Sequence, residues 1–186
     1  MANDTQDIKK ALSDITPEQW SELSQLMQTP VDEVKHQYES FLVDITQNPE
    51  KLNQPGPVTV GKVESGEGRS AEGRMTIPIS WCPIPKVVCL EFSLSWKGGS
   101  DWALDVNLAA KVFGKSVWSS NVIHLTSEQK YIHLQPQVAI FKMDVQIGVR
   151  QSGSCSNSFY VSGKVGYYLP FSWHYSSPFD KDLYCL

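Results

Sequence analysis

The sequence predicts a mainly β fold with an N-terminal helical segment: an antiparallel β-sandwich or barrel of about eight strands preceded by a helical hairpin. Three observations predict it. Apolar residues recur with a period of about 3.6 as far as residue 47 and with a period of about 2 beyond residue 58. Charge divides at the same place: residues 1–54 hold four Lys against ten Asp and Glu, a net −6, whereas residues 55–186 hold twelve Lys and Arg against ten Asp and Glu, a net +2. The connections between alternating segments, such as Gly114-Lys115-Ser116 and Ser127-Glu128, are too short for crossover helices, so neighbouring strands should run antiparallel. Two modules follow, an acidic helical module at 1–54 and an antiparallel β-domain at 55–186.

Within the first module, Asp4 caps a short helix carrying Ile8, Leu12 and Ile15 at spacings of four and three, too short to be stable alone. Thr16-Pro17-Glu18-Gln19 combines a capping hydroxyl, a proline at the first helical position and a Gln three residues after the cap. Trp20, Leu23, Leu26 and Met27 then share one face. Thr29-Pro30-Val31-Asp32 repeats the device, and Val31, Val34, Tyr38, Phe41, Leu42 and Ile45 form a stripe that Asn48-Pro49 ends. Gln47 to Pro57, rich in Pro, Asn and Gln, reads as a linker.

In the second module Val88, Leu90, Phe92, Leu94 and Trp96 alternate with Cys89, Glu91, Ser93 and Ser95, and Gly98-Gly99-Ser100 supplies a turn. Trp102, Leu104, Val106, Leu108, Ala110 and Val112 repeat the alternation, so the pair reads as a long hairpin. Further strands are expected at 58–63, 74–81, 117–125, 131–135, 138–149 and 159–169, with exposed loops at Glu64 to Gly73 and Gln151 to Ser158. The alternating faces suffice for a core without covalent staples.

Composition narrows the function. The chain is 41% hydrophobic and 19% charged, and no stretch approaches the roughly 18 apolar residues of a membrane-spanning helix. The opening Met1-Ala2-Asn3-Asp4 lacks the basic start and apolar run of a secretory signal, so the cytoplasm is the default compartment, with non-classical export left open. A net charge of −4 leaves no electrostatic footprint for nucleic acid.

Local motifs for chemistry are missing. Gly114-Lys115-Ser116 resembles the end of a phosphate-binding loop, but Ala109 stands where that loop needs glycine, and a strand follows; it reads as a hairpin turn. Gly68-Arg69-Ser70-Ala71-Glu72-Gly73 misses a nucleophile elbow by one residue. Cys82, Cys89, Cys155 and Cys185 match no common zinc spacing and read as reduced structural thiols, with Cys155 and Cys185 the more accessible; the fold should then survive reduction. His36, His124, His133 and His174 show no close ligand spacing. His124 and His133 could meet across a turn near Glu128, but they read as surface residues, as do the polar-face Asp101, Asp105 and Asp144. No metal, cofactor or catalytic residue is expected, and a non-enzyme is favoured.

The densest unusual feature is Tyr167-Tyr168-Leu169-Pro170-Phe171-Ser172-Trp173-His174-Tyr175. Strand alternation would bury about half of it, and Pro170 interrupts the strand where ring density is highest. Tyr167, Tyr168, Phe171, Trp173, His174 and Tyr175 are therefore the expected binding residues, because rings with polar edges stack on sugars, settle at headgroups or anchor protein contacts. The leading expectation is a non-catalytic recognition protein for a carbohydrate, a lipid surface or a protein partner, with homo-oligomerisation open. The alternative is a membrane-active, pore-forming or toxin-like protein. In length, helix-then-β order and aromatic richness the chain is similar to small cytolysins of the actinoporin kind, although its first helix is short and acidic and no motif matches. An enzyme whose site is assembled from distant strands ranks third.

Overall fold

A computed structural model describes residues 2–65, 74–169 and 172–186. Among them the chain forms α1 (Ala2–Asp14), α2 (Pro17–Met27), α3 (Val31–Gln47) and a short 3-10 helix (Pro49–Asn53) within the expected linker. The start of α2 is the predicted capping box: the Gln19 N–H donates to Thr16 Oγ1 at 3.2 Å and the Thr16 N–H donates to Gln19 Oε1 at 3.1 Å. The second cap differs from expectation. Pro30, not Thr29, caps α3, and the Thr29 hydroxyl donates back to the Met27 carbonyl at 3.0 Å, closing the turn after Gln28 in its left-handed conformation. The expected helical hairpin is present as α2 against α3, and α1 packs on α3 beside it, burying Ile8, Ala11 and Ile15.

The first antiparallel sheet comprises β1 (Thr59–Val60), β2 (Glu64–Ser65), β3 (Met75–Ile84), β4 (Val88–Lys97), β5 (Ala103–Val112), β6 (Lys115–Ser119) and β7 (Ile123–Thr126). The second comprises β8 (Tyr131–Leu134), β9 (Gln137–Val138), β10 (Phe141–Ser152), β11 (Cys155–Leu169), β12 (Ser172–Tyr175) and β13 (Phe179–Cys185). Each sheet is thus one continuous stretch of chain, as short antiparallel connections dictate. The alternation from Val88 to Trp96 and from Leu104 to Val112 marks buried faces, in the register Phe92↔Leu108 and Leu94↔Val106.

There are thirteen described strands where about eight were expected. The segment 117–125 splits because Ser120 leaves the ladder: its hydroxyl accepts from the Leu108 N–H at 3.0 Å and its N–H donates to the Leu108 carbonyl at 2.8 Å. β6 then pairs with one half of β5 and β7 with the other. The expected loop at 151–158 is instead a tight hairpin, with Gly153 at φ 55 between the ends of β10 and β11. Of the expected loop at 64–73, Glu64 and Ser65 form β2 and residues 66–73 lie outside the described residues.

One core joins the helices to both sheets. Phe92 of the first sheet meets Phe159 of the second, ring centres 5.3 Å apart, and Trp81 meets Phe179 at 5.0 Å. From α3, Tyr38 packs on Phe141 at 5.6 Å and Phe41 on Tyr167 at 5.3 Å. The Tyr38 hydroxyl donates to the Tyr168 carbonyl, and burial holds its phenol far above the ordinary range, so it stays neutral.

The cysteines overturn the reading of reduced thiols, including the assignment of Cys155 and Cys185 as the accessible pair. Cys82 bonds to Cys89 across the β3–β4 hairpin, and Cys155 bonds to Cys185, leaving no free thiol among the described residues. The second pair arises because β13 returns along β11, in the register Ser158↔Cys185, which spacing alone does not encode.

Candidate functional site

The aromatic segment divides along the pleat of β11 and β12. Residues facing the core on β11 are Phe159, Val161, Val165 and Tyr167, so Lys164, Gly166 and Tyr168 face outward. Three cross-strand rows build the outer face: Tyr168 beside Trp173, Lys142 and Gly166 beside Tyr175, and Asp144 beside Lys164. β12 is the edge strand of this sheet path.

Tyr175, 36% exposed, rests on Gly166, where an added Cβ would lie 3.0 Å from the ring. Glycine beneath the ring therefore lets it seat against the strand. Trp173, half-buried, meets the edge of Tyr168 with ring centres 5.4 Å apart. Between the two outer rings the Lys142 ammonium lies 4.4 Å from the centre of Trp173 and 5.2 Å from that of Tyr175, while the Lys164 ammonium lies 4.2 Å from Tyr175. Neither lysine forms an ion pair among the described residues. The nearby Asp144 is engaged elsewhere: its hydrogen bond with His133 holds the carboxyl below the usual range, with Lys164 adding to the effect. Lys142 and Lys164 thus place two positive charges at the rings, with the Asp144 carboxylate beside Lys164.

The expected binding residues thus part company. Tyr175 and His174 are exposed, Trp173 and Tyr168 half-buried, and Phe171 lies outside the described residues. Tyr167 is buried, stacked on His174 at 5.8 Å and set edge-on to Phe41, which makes it a wall of the core. Sequence reasoning missed Lys142 and Lys164. Their signal was present in the polar rows of two predicted strands, but only the register shows that both converge on Tyr175.

A second constellation ties β10 to β13. Arg150 pairs with Asp180 at 2.7 Å and Asp182 at 3.0 Å and lies 4.2 Å over the Tyr160 ring. Asp182 also accepts from Ser152 at 2.6 Å and Ser158 at 3.1 Å. Partial burial works against its charged form, but the hydrogen bonds from Ser152, Arg150 and Ser158 prevail and hold its pKa below the usual value. A carboxyl whose folded pKa is depressed stabilises the fold above its unfolded pKa, about 3.9, and loses that contribution as pH falls through the folded value. Chemical denaturation should therefore show stability falling below about pH 4, and Asp182→Asn should flatten that fall while lowering stability at neutral pH. An unchanged acid limb in the variant would remove Asp182 from the cause.

The two histidines do not meet. His124 pairs with Asp105, which Arg74 also contacts at 2.9 Å, on the first sheet, while His133 pairs with Asp144 on the second. The outer face of the first sheet forms an open trough of about 650 Å³ floored by small residues, among them Pro78, Ser93, Asn107 and Ala109. Among the described residues no helix is long and apolar enough to cross a membrane.

These features define a mainly β protein with N-terminal helices and an aromatic sheet face that carries two lysines. Comparison with protein-family models, with curated proteins and with solved structures finds no match.

Proposed function

We propose that this chain is a non-catalytic recognition protein that binds carbohydrate on the outer face of its second sheet, with Trp173 and Tyr175 as stacking rings. The observation that carries the reading is the seating of Tyr175 on Gly166 beside Trp173, with the Lys142 and Lys164 ammonium groups between and beside the rings. A sugar offers an apolar C–H face to such rings and hydroxyls to the charged groups around them, and the lysines favour an acidic sugar. His174 and Tyr168 flank the platform. A lipid surface suits the molecule less well: among the described residues the exposed large hydrophobics Leu26, Val60, Val122, Tyr131 and Tyr175 are scattered over separate elements and form no single apolar face. Two disulfides favour an oxidising compartment over the cytoplasm expected by default, which suits a protein that meets glycans.

The test is titration calorimetry with acidic oligosaccharides (oligogalacturonate, sialyllactose and a heparin tetrasaccharide) beside their neutral counterparts, and sedimentation with phosphatidylserine–phosphatidylcholine vesicles. Binding of a saccharide should weaken by about ten-fold or more in Trp173→Ala and Tyr175→Ala with the melting temperature nearly unchanged. Leu108→Ala, in contrast, empties a buried site and should cost about 2 to 5 kcal/mol of stability. Aromatic variants that unfold as readily as Leu108→Ala, or that bind sugar as the parent does, would sink the proposal; binding to vesicles alone would favour the membrane-active alternative.

A further inference from the structure

A cleft of about 650 Å³ opens on a different part of the molecule, between α3 and the turns that join β3 to β4 and β5 to β6. Its size lies within the range of small-molecule sites, roughly 300 to 1,000 Å³. Phe41, Ile45 and Ile84 give it a buried apolar wall, and Phe113 closes one side.

Three further observations point to a ligand of one kind. First, the two turns that form its mouth each hold a non-glycine residue in the left-handed region, Lys86 at φ 66 and Phe113 at φ 49, and both residues line the cleft. The turns are joined by a hydrogen bond from the Phe113 N–H to the Val87 carbonyl at 2.8 Å, so the two strained residues are held in a fixed relation. Second, Gln37 lines the cleft, and its side-chain oxygen is shut off from water and accepts no hydrogen bond among the described residues. An amide acceptor left unmet is a standing penalty. A rotamer that turned this oxygen toward the cleft would let a ligand N–H or O–H satisfy it. Third, charge at the rim is unbalanced. Asp44 is committed to Lys51 at 2.8 Å, and that hydrogen bond holds its pKa below the usual value, whereas Lys86 makes no ion pair among the described residues.

We propose that this cleft binds an amphipathic organic anion: a small carboxylate or sulfonate with an apolar ring body and an N–H or O–H donor. The body fills the space against Phe41, Ile45 and Phe113, the anion meets Lys86, and the donor meets Gln37. This site is independent of the carbohydrate platform and does not rest on it.

The probe for the test is 8-anilinonaphthalene-1-sulfonate, which carries an aromatic body, one N–H and one sulfonate, titrated by fluorescence into the folded full-length protein. Its uncharged counterpart N-phenyl-1-naphthylamine is titrated in parallel. Saturable binding at one site is expected, about five-fold or more tighter than for the uncharged compound, because a charge-assisted hydrogen bond is lost with the sulfonate. Lys86→Gln should abolish that difference. Gln37→Leu should weaken the probe while leaving thermal stability unchanged or raised, an outcome that a purely structural glutamine would not give. Ser40→Trp, on the exposed rim, should block the cleft, whereas Trp173→Ala should leave the probe bound as before. The proposal falls if the probe fails to saturate, if the uncharged compound binds equally well, or if Lys86→Gln and Ser40→Trp, both still folded by melt, bind as the parent does.

Discussion

Replacing Gly163 by alanine should destabilise the protein by about 4 kcal/mol or more, lowering the melting temperature by ~8–16 °C, more than any surface change. Gly163 sits at φ +145 at the centre of β11, paired with Val145 on one side and Phe179 on the other. A Cβ there would lie 2.0 Å from the Asp144 carbonyl oxygen and 2.8 Å from the Val145 Cα, both backbone atoms of the neighbouring strand. No rotamer can relieve such a contact. The strands would have to separate, and β10 and β11 carry the second sheet. Gly114→Ala is the control: at φ +82 it also favours glycine, but nothing lies within 4 Å of its added Cβ. That substitution should cost only backbone strain, about 1 to 2 kcal/mol. Equal midpoints for the two variants in urea unfolding would refute the close approach of β10 to β11.

Removing the Cys155–Cys185 bond should have the next largest effect. It spans a sequence separation of 30, for which the loop-entropy relation gives about 3.6 kcal/mol, or ~7–14 °C of melting temperature in a chain of this size. The Cys82–Cys89 bond spans only 7 and should contribute about 2.4 kcal/mol. The Cys155→Ser, Cys185→Ser double variant and the parent protein in reductant should both melt at lower temperature yet still melt cooperatively, because the buried core is continuous without either bond. Loss of cooperativity on reduction would show that the covalent frame, and not the core, defines the second sheet. A double variant as stable as the parent would show that β13 is held by its ladder and by the Arg150–Asp180–Asp182 contacts alone.

What the chain states locally was legible from the residues. The capping box at Thr16, the apolar stripe from Val31 to Ile45 and the alternation from Val88 to Val112 depend on neighbours in sequence, and each of those spans folds as its periodicity dictates. The glycine turn at Gly114, φ +82, belongs to the same group. The charge division and the shift in period near residue 55 likewise marked where the helices give way to strands.

Tertiary structure decided everything that depends on which distant segments meet. Even parity of four cysteines permits three pairings, and only the return of β13 along β11 selects Cys155 with Cys185. Ser120 breaks one expected strand into two because its partner, Leu108, lies across the sheet. Tyr167 belongs to the core because α3 delivers Phe41 to it, although its neighbours Tyr168, Trp173 and Tyr175 face outward. Lys142 and Lys164 acquire their relation to Tyr175 from strand register, and the cleft beside α3 draws its wall from residues as far apart in sequence as Gln37, Lys86 and Phe113. Secondary structure is written in short-range periodicity, whereas these contacts are fixed by how the sheets align and what the helices cover, a property of the whole packed chain that no local window carries.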